Sequence, residues 1–216
     1  ASEHAPRKHT QLILPLLHQE LAERSLQLDD VDVIAFGAGP GSFTGIRIAA
    51  GVAQGLAYGL DVPIYAVSNL KALALQSYLS HKKSLVLACI DARMDEVYWG
   101  VFKVTEDRVT EQGISFTRYS VNALTDEQVN SPQSVMLPST PDINNMPAGI
   151  GTGVKLLDES ILAQLSEKDL DAQPSADTIA FLTEALIAEG KSGILSEALP
   201  SYVRDTVTWK KLPGRE

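Results

Sequence analysis

Apolar residues early in the chain fall at Leu12, Ile13, Leu16, Leu17 and Leu21, the spacing that lines one face of a helix. Pro15 sits inside this run and predicts a kink near the helix start, because its ring removes a backbone donor and crowds the preceding turn. Residues 31–36 are apolar and partly β-branched, the signature of a short buried strand. A glycine-rich stretch follows at 37–45, and an apolar run then reaches Leu60 before Asp61 and Pro63 stop it. The order is strand, turn, helix. Residues 63–67 predict a second short strand, and Ser68 can cap a helix that runs to about residue 79.

The rhythm changes in the second half. Residues 85–90 and 97–104 each read as a strand, joined tightly at 91–96, and 109–119 read as a third, giving an antiparallel meander. Residues 124–129 predict a weak helix and 131–147 a loop rich in proline and asparagine. A short strand at 148–151, a helix at 153–165 and a last helix at 177–189 follow. The tail from Leu199 carries Pro200, Tyr202, Arg204, Trp209 and Pro213.

Three antiparallel strands followed by alternating helices and strands is the ribonuclease-H-like order. The first half would share that order if a three-stranded meander preceded Ala1. Two such units in tandem make the actin-like ATPase architecture. The predicted fold is therefore α/β with two ribonuclease-H-like lobes, residues 1–82 and 83–216. The first lacks its N-terminal β-meander, and the tail returns toward it.

A chain of 216 residues is long enough to bury a core without a disulfide or metal staple. With 44% hydrophobic and 21% charged residues, disordered, collagenous and coiled-coil classes are excluded. The net charge of −9 disfavours strong direct binding to nucleic acid or an anionic membrane. The single cysteine, Cys89, provides no internal disulfide and reads as a small buried hydrophobe, which fits a reducing cytoplasm. No apolar targeting segment opens the chain.

The stretch Gly39-Pro40-Gly41-Ser42-Phe43-Thr44-Gly45 is the most informative. Ser42 or Thr44 can cap the next helix, whose first amides favour an anion. A phosphate loop is physically possible at Gly39, Gly41, Ser42 and Thr44; a purely structural strand-to-helix turn is the alternative. No lysine follows, so this is not a P-loop, and Ser42 stands where a dinucleotide fingerprint needs glycine. In the helix beyond, Gly51, Gly55 and Gly59 recur every four residues on one face. Each costs up to ~1 kcal/mol relative to alanine, so a close helix–helix approach, internal or between subunits, is expected to compensate.

These residues, together with Arg47-Ile48 and Ala53-Gln54-Gly55-Leu56-Ala57, closely resemble the TsaB (YeaZ) family. Pro6-Arg7-Lys8-His9-Thr10, Asp91-Ala92-Arg93-Met94, Glu96-Val97-Tyr98-Trp99, Tyr202-Val203-Arg204 and Trp209-Lys210-Lys211-Leu212-Pro213-Gly214 carry the same resemblance. Residues 105–147 match poorly. The resemblance implies a bacterial cytoplasmic protein needed to make threonylcarbamoyladenosine beside the tRNA anticodon. It implies a non-catalytic partner of TsaD, the subunit that transfers the threonylcarbamoyl group, with the ATPase TsaE joining them and tRNA met only indirectly. It also implies self-association through the two N-terminal helices, the surface that otherwise meets TsaD. On this chain that surface comprises His9, Ile13, Leu16, Leu17, Arg47, Gly51, Gln54, Gly55 and Tyr58. The family's opening strand, with its Asp-Thr-Ala/Ser motif and hairpin, has no counterpart in these residues. Some relatives also carry arginine where Ala38 stands.

TsaD-like proteins bind their metal partly through a His-x-x-x-His pair, and Asn69 and Leu73 stand at the matching positions here. Leucine cannot ligate, and asparagine is a weak ligand for a transition metal. None of the four histidines, His4, His9, His18 and His81, forms a short pair at helical spacing. The nucleophile-elbow spacing around Ser42 is absent. Asp91, Asp95 and Glu96 read as a solvated turn with a local pair to Arg93; the alternative is that Asp91 or Arg93 faces a cleft between lobes. No catalytic group, metal or cofactor held by this chain alone is expected, with ATP or ADP at the joint with TsaD. The competing expectations are an ATP-binding actin-like phosphotransferase and a metallopeptidase.

Overall fold

The computed structural model describes residues 9–111, 114–138 and 146–204. Helix α1 (His9–Glu23) continues through Pro15. The first strand begins later than its apolar run. The Val31 amide closes a turn onto the Leu28 carbonyl, and pairing starts where the Ile34 amide donates to Pro63. Strands β1 (Ile34–Gly39) and β2 (Ile64–Ser68) form a parallel pair, connected by helix α2 (Phe43–Leu60). Parallel neighbours require such a crossover. Asp61, in the left-handed conformation, ends α2. Helix α3 (Asn69–His81) starts directly from β2, with the Ser68 hydroxyl accepting from the Lys71 amide at 3.2 Å.

The second sheet has six strands. Strand β3 (Leu85–Arg93) pairs antiparallel with β4 (Glu96–Glu111), and β4 pairs with β5 (Ile114–Ala123). This is the expected meander, but 109–111 belong to the second strand and the third starts later. Strand β6 (Gln128–Asn130) stands where the sequence predicts a helix at 124–129. It pairs with Val97, Tyr98 and Trp99, so the ladder and the bond from the Trp99 indole to Asn130 override weak local helix preference. Strand β7 (Ala148–Ile150) runs parallel to β3. The helix predicted at 153–165 is broken: a turn at Val154–Leu156 leads to extended, buried Leu157, and helix α4 spans only Glu159–Leu162. Strand β8 (Lys168–Asp169), which the sequence does not announce, pairs with β7. Helix α5 (Ala176–Ala188) closes the order.

Strand β3 is buried on both faces, which explains its unbroken apolar run. On one side Val86 and Ala88 join Leu70, Leu73, Phe102, Val104 and Ile150. On the other, Leu87 and Cys89 join Val97, Trp99, Val101 and Leu165. Helices α3 and α5 touch strands of both sheets and form the joint between them. A third, smaller cluster holds α2 to β1 through Phe36, Ala38, Ala50, Ala53 and Ala57, with Ala198 beside them.

This division of burial sets stability. Leu73 is fully buried in the largest cluster, whereas Tyr58 is 79% exposed. Urea unfolding is expected to show Leu73→Ala losing ~2–5 kcal/mol and Tyr58→Ala staying within ~0.5 kcal/mol of the parent.

Candidate functional site

The glycine loop is crossed, backbone to backbone, by the segment 198–204. The Ser201 amide donates to the Ala38 carbonyl at 2.8 Å. Gly39 has φ +121°, and a side chain there would begin 2.8 Å from the Ser201 carbonyl oxygen, so both conformation and space demand glycine. Asn69, the first residue of α3, donates through Nδ2 to the Pro40 carbonyl at 3.1 Å. Its Oδ1 lies 2.3 Å from where a Gly37 side chain would begin. Ser42 caps α2 by accepting from the Gly45 amide at 3.4 Å. Of the loop residues singled out as a possible phosphate cradle, Gly39 abuts the crossing segment and Gly41 lies beside Asn69. Ser42 is engaged in the cap, and Thr44 is exposed.

Helix α2 has two unlike faces. Ile46, Ala50, Ala53 and Ala57 are buried. Gly51, Gly55 and Gly59 lie on the other side, and among the described residues no heavy atom beyond the helix's own neighbouring backbone stands within 4 Å of where a side chain on any of them would begin. Among the described residues, no internal partner compensates for them. Tyr58 projects beside this strip. Helix α1 packs on α2, with Ile13, Leu16 and Leu17 half-buried and Leu14 exposed. His9 lies in α1, and its side chain is outside the described set. Gln54 turns to the crossing segment instead, its Nε2 donating to the Ala198 carbonyl at 2.8 Å.

Arg47 is built into an aromatic stack. Its guanidinium lies 3.8 Å from the Phe43 ring centroid and 5.6 Å from that of Tyr202. Its Nε donates to the Tyr202 hydroxyl oxygen at 2.8 Å. Further on, Arg204 donates to the Ala92 carbonyl and pairs with Glu96, so the same segment reaches from the first sheet to the β3–β4 turn of the second. At that turn Asp91 accepts from both the Arg93 amide and its guanidinium, the local pair expected from the sequence. A cavity of about 300 Å³ lies between loop and crossing segment, lined by Pro40, Phe43, Ile46, Tyr98, Tyr202 and Arg204.

A second cavity, of about 530 Å³, lies at the joint and is lined by Ser68, Lys71, Asn122, Glu127, Leu182 and Glu189. Burial pushes the Glu127 carboxyl above its ordinary range; a hydrogen bond from the Ser68 hydroxyl and the charge of Lys71 offset this only in part. The Ser68 hydroxyl thus caps α3 and ties the end of β2 to the segment that leads into β6. Leu73 is in the core and Asn69 is held by Pro40. Among the described residues no group of three or more His, Cys, Asp or Glu could hold a metal ion. Burial pushes the Cys89 thiol up, away from reactivity.

Residues 2–212 match the family model described as TsaD, tRNA N6-adenosine threonylcarbamoyltransferase. The tRNA threonylcarbamoyladenosine biosynthesis protein TsaB of Haemophilus influenzae is 39% identical over 215 residues, covering 100% of this chain and 88% of that protein. The chain belongs to the TsaB family. TsaB of Escherichia coli K12 is 35% identical, covering 99% of this chain and 88% of its own length. The solved structure of YeaZ from Pseudomonas aeruginosa is similar with a TM-score of 0.76 at 37% identity, over 93% of this chain and 86% of that one. A second structure, of a protein described by its similarity to the peptidase YeaZ from Pseudomonas aeruginosa, gives a TM-score of 0.77 at 37% identity, over 94% and 87%. The fold is the α/β, actin-like ATPase type of the TsaD and TsaB proteins. No helix among the described residues is long and apolar enough to cross a membrane.

Four residues with structural duties in this member of the TsaB family were not legible as such: Phe43, Asn69, Glu127 and Tyr202. Tyr202 and Phe43 had a signal as members of the motifs that carry the family resemblance, and Asn69 as the position matched to a histidine of TsaD-like proteins; Glu127 had none. Glu127 supplies a test of the joint. Its folded carboxyl keeps its proton to higher pH than the unfolded one, so its stabilising contribution is full at acid pH and is lost as pH rises through the folded pKa. Urea unfolding from acid to neutral pH is expected to show Glu127→Gln gaining on the parent as pH rises, with a flat difference counting against the assignment.

Proposed function

We propose that this chain is a non-catalytic assembly subunit of tRNA threonylcarbamoyladenosine synthesis. Helices α1 and α2 dock a TsaD-type transferase, TsaE joins the pair, and tRNA is met through the partners. In the absence of TsaD the same helices hold a homodimer. The observation that carries this reading is the bare glycine face of α2, where three glycines weaken a helix and none of the described residues packs against them. Adjoining α1 adds Ile13, Leu16 and Leu17 to the surface, and Arg47 and Tyr58 flank it.

The division into lobes at 1–82 and 83–216, hinged at α3 and α5, is part of the proposal, as is a cytoplasmic site of action. Support for a non-catalytic role comes from Leu73 and Asn69, one buried and the other engaged by the loop. ATP or ADP, if used, belongs at the joint with the partner, since Ser42 and Gly39 are committed to the turn and the crossing segment.

Gly55→Leu separates folding from docking. The added side chain meets open space in the free chain, and leucine favours a helix over glycine by up to ~1 kcal/mol. The thermal midpoint is expected to hold or rise while co-purification with the TsaD-type subunit is lost. Retained co-purification and normal tRNA modification would contradict the docking assignment.

A further inference from the structure

Arg47 is the only charged residue in the 18 residues of α2. It lies on a roughly 100°-wide arc of the helix with Gly51, Gln54, Gly55 and Tyr58, by the geometry of 3.6 residues per turn. Resting on the docking reading above, we propose that Arg47 is the specificity anchor of that face and takes an aspartate or glutamate carboxylate of the docked protein in a two-point contact.

The guanidinium is preorganised for this. Phe43 supports its plane at 3.8 Å. Tyr202 occupies Nε, and the two terminal amino groups have no partner among the described residues. A guanidinium held flat, with both terminal amino groups available, matches the fork of a carboxylate. Phe43 and Tyr202 are 56% and 47% exposed, so aromatic surface borders the charge, the composition of an energetic anchor at protein interfaces. A partner covering an otherwise uncharged helix strips water from this one cation, and leaving it unpaired would cost more than the contact returns. A carboxylate on the partner solves that problem and rejects partners lacking it. A phosphate has the same fork, but α2 offers no second cation and the chain carries a net charge of −9, which favours a protein carboxylate over nucleic acid.

Calorimetric titration of the TsaD-type subunit into the full chain tests this, with Arg47→Lys, Arg47→Gln, Tyr202→Phe and Gly55→Leu alongside. Both Arg47 variants are expected to weaken binding at least ~10-fold at unchanged thermal midpoint, because lysine keeps the charge and loses the fork. Tyr202→Phe, which frees Nε, is expected to weaken it by ~2–10-fold. Parental affinity in Arg47→Lys would overturn the two-point contact. Parental affinity in both Arg47 variants, with binding lost in Gly55→Leu, would overturn the anchor and leave the docking face standing. Parental affinity in Gly55→Leu would overturn the docking reading itself. A gel shift of anticodon stem-loop RNA with the full chain alone is the remaining arm: RNA bound by the parent and lost in Arg47→Gln would give the guanidinium to a phosphate and overturn the carboxylate.

Discussion

The contact on which the rest depends is the crossing of two backbones at Gly39, where the Ser201 amide meets the Ala38 carbonyl and the Ser201 oxygen occupies the space of a missing side chain. That crossing fixes the path of residues 198–204. From it, Ala198 seats in the small cluster under α2, Tyr202 receives the Arg47 Nε, and Arg204 reaches the β3–β4 turn. One segment therefore fastens the buried side of α2 and joins the two sheets. A larger residue at Gly39 would displace a backbone rather than a flexible side chain, so its effect would spread to all three contacts.

With its inner face occupied, α2 leaves its outer face bare. Alanines face inward where the helix must approach β1, and glycines face outward where none of the described residues approaches. Inward alanines are explained by packing. Outward glycines lower helix stability with no return from the described residues, which is the physical ground for reading that face as made for another protein. The chain's negative charge accords with the proposed role: an acidic member of the TsaB family is better suited to holding a protein than to holding RNA.

Much of the fold was legible because burial imposes periodicity. The apolar run of α2, the cap at Ser68 and the two-sided strand β3 follow from spacing and side-chain type, and the structure places them within a few residues of expectation. The misses occur where distant pairing decides. Residues 128–130 are a strand because Val97–Trp99 offer a ladder, a partner some thirty positions away that local preference does not contain. The hairpin of β4 and β5 extends past the core through Glu106, Asp107 and Arg108, where charge hides the alternation. At the site, the glycine strip was legible from its four-residue spacing. The holds on Arg47 and Gln54 were not, since Tyr202 and Ala198 lie 155 and 144 positions away.

Hydrogen–deuterium exchange of the full chain, with and without the TsaD-type subunit, tests the central claim most directly. The account predicts slowed exchange confined to α1 and α2, strongest around Gly51–Gly59, with the β3–β4 turn and α5 unchanged. Slowed exchange at the β3–β4 turn or α5, with α2 unaffected, would contradict it.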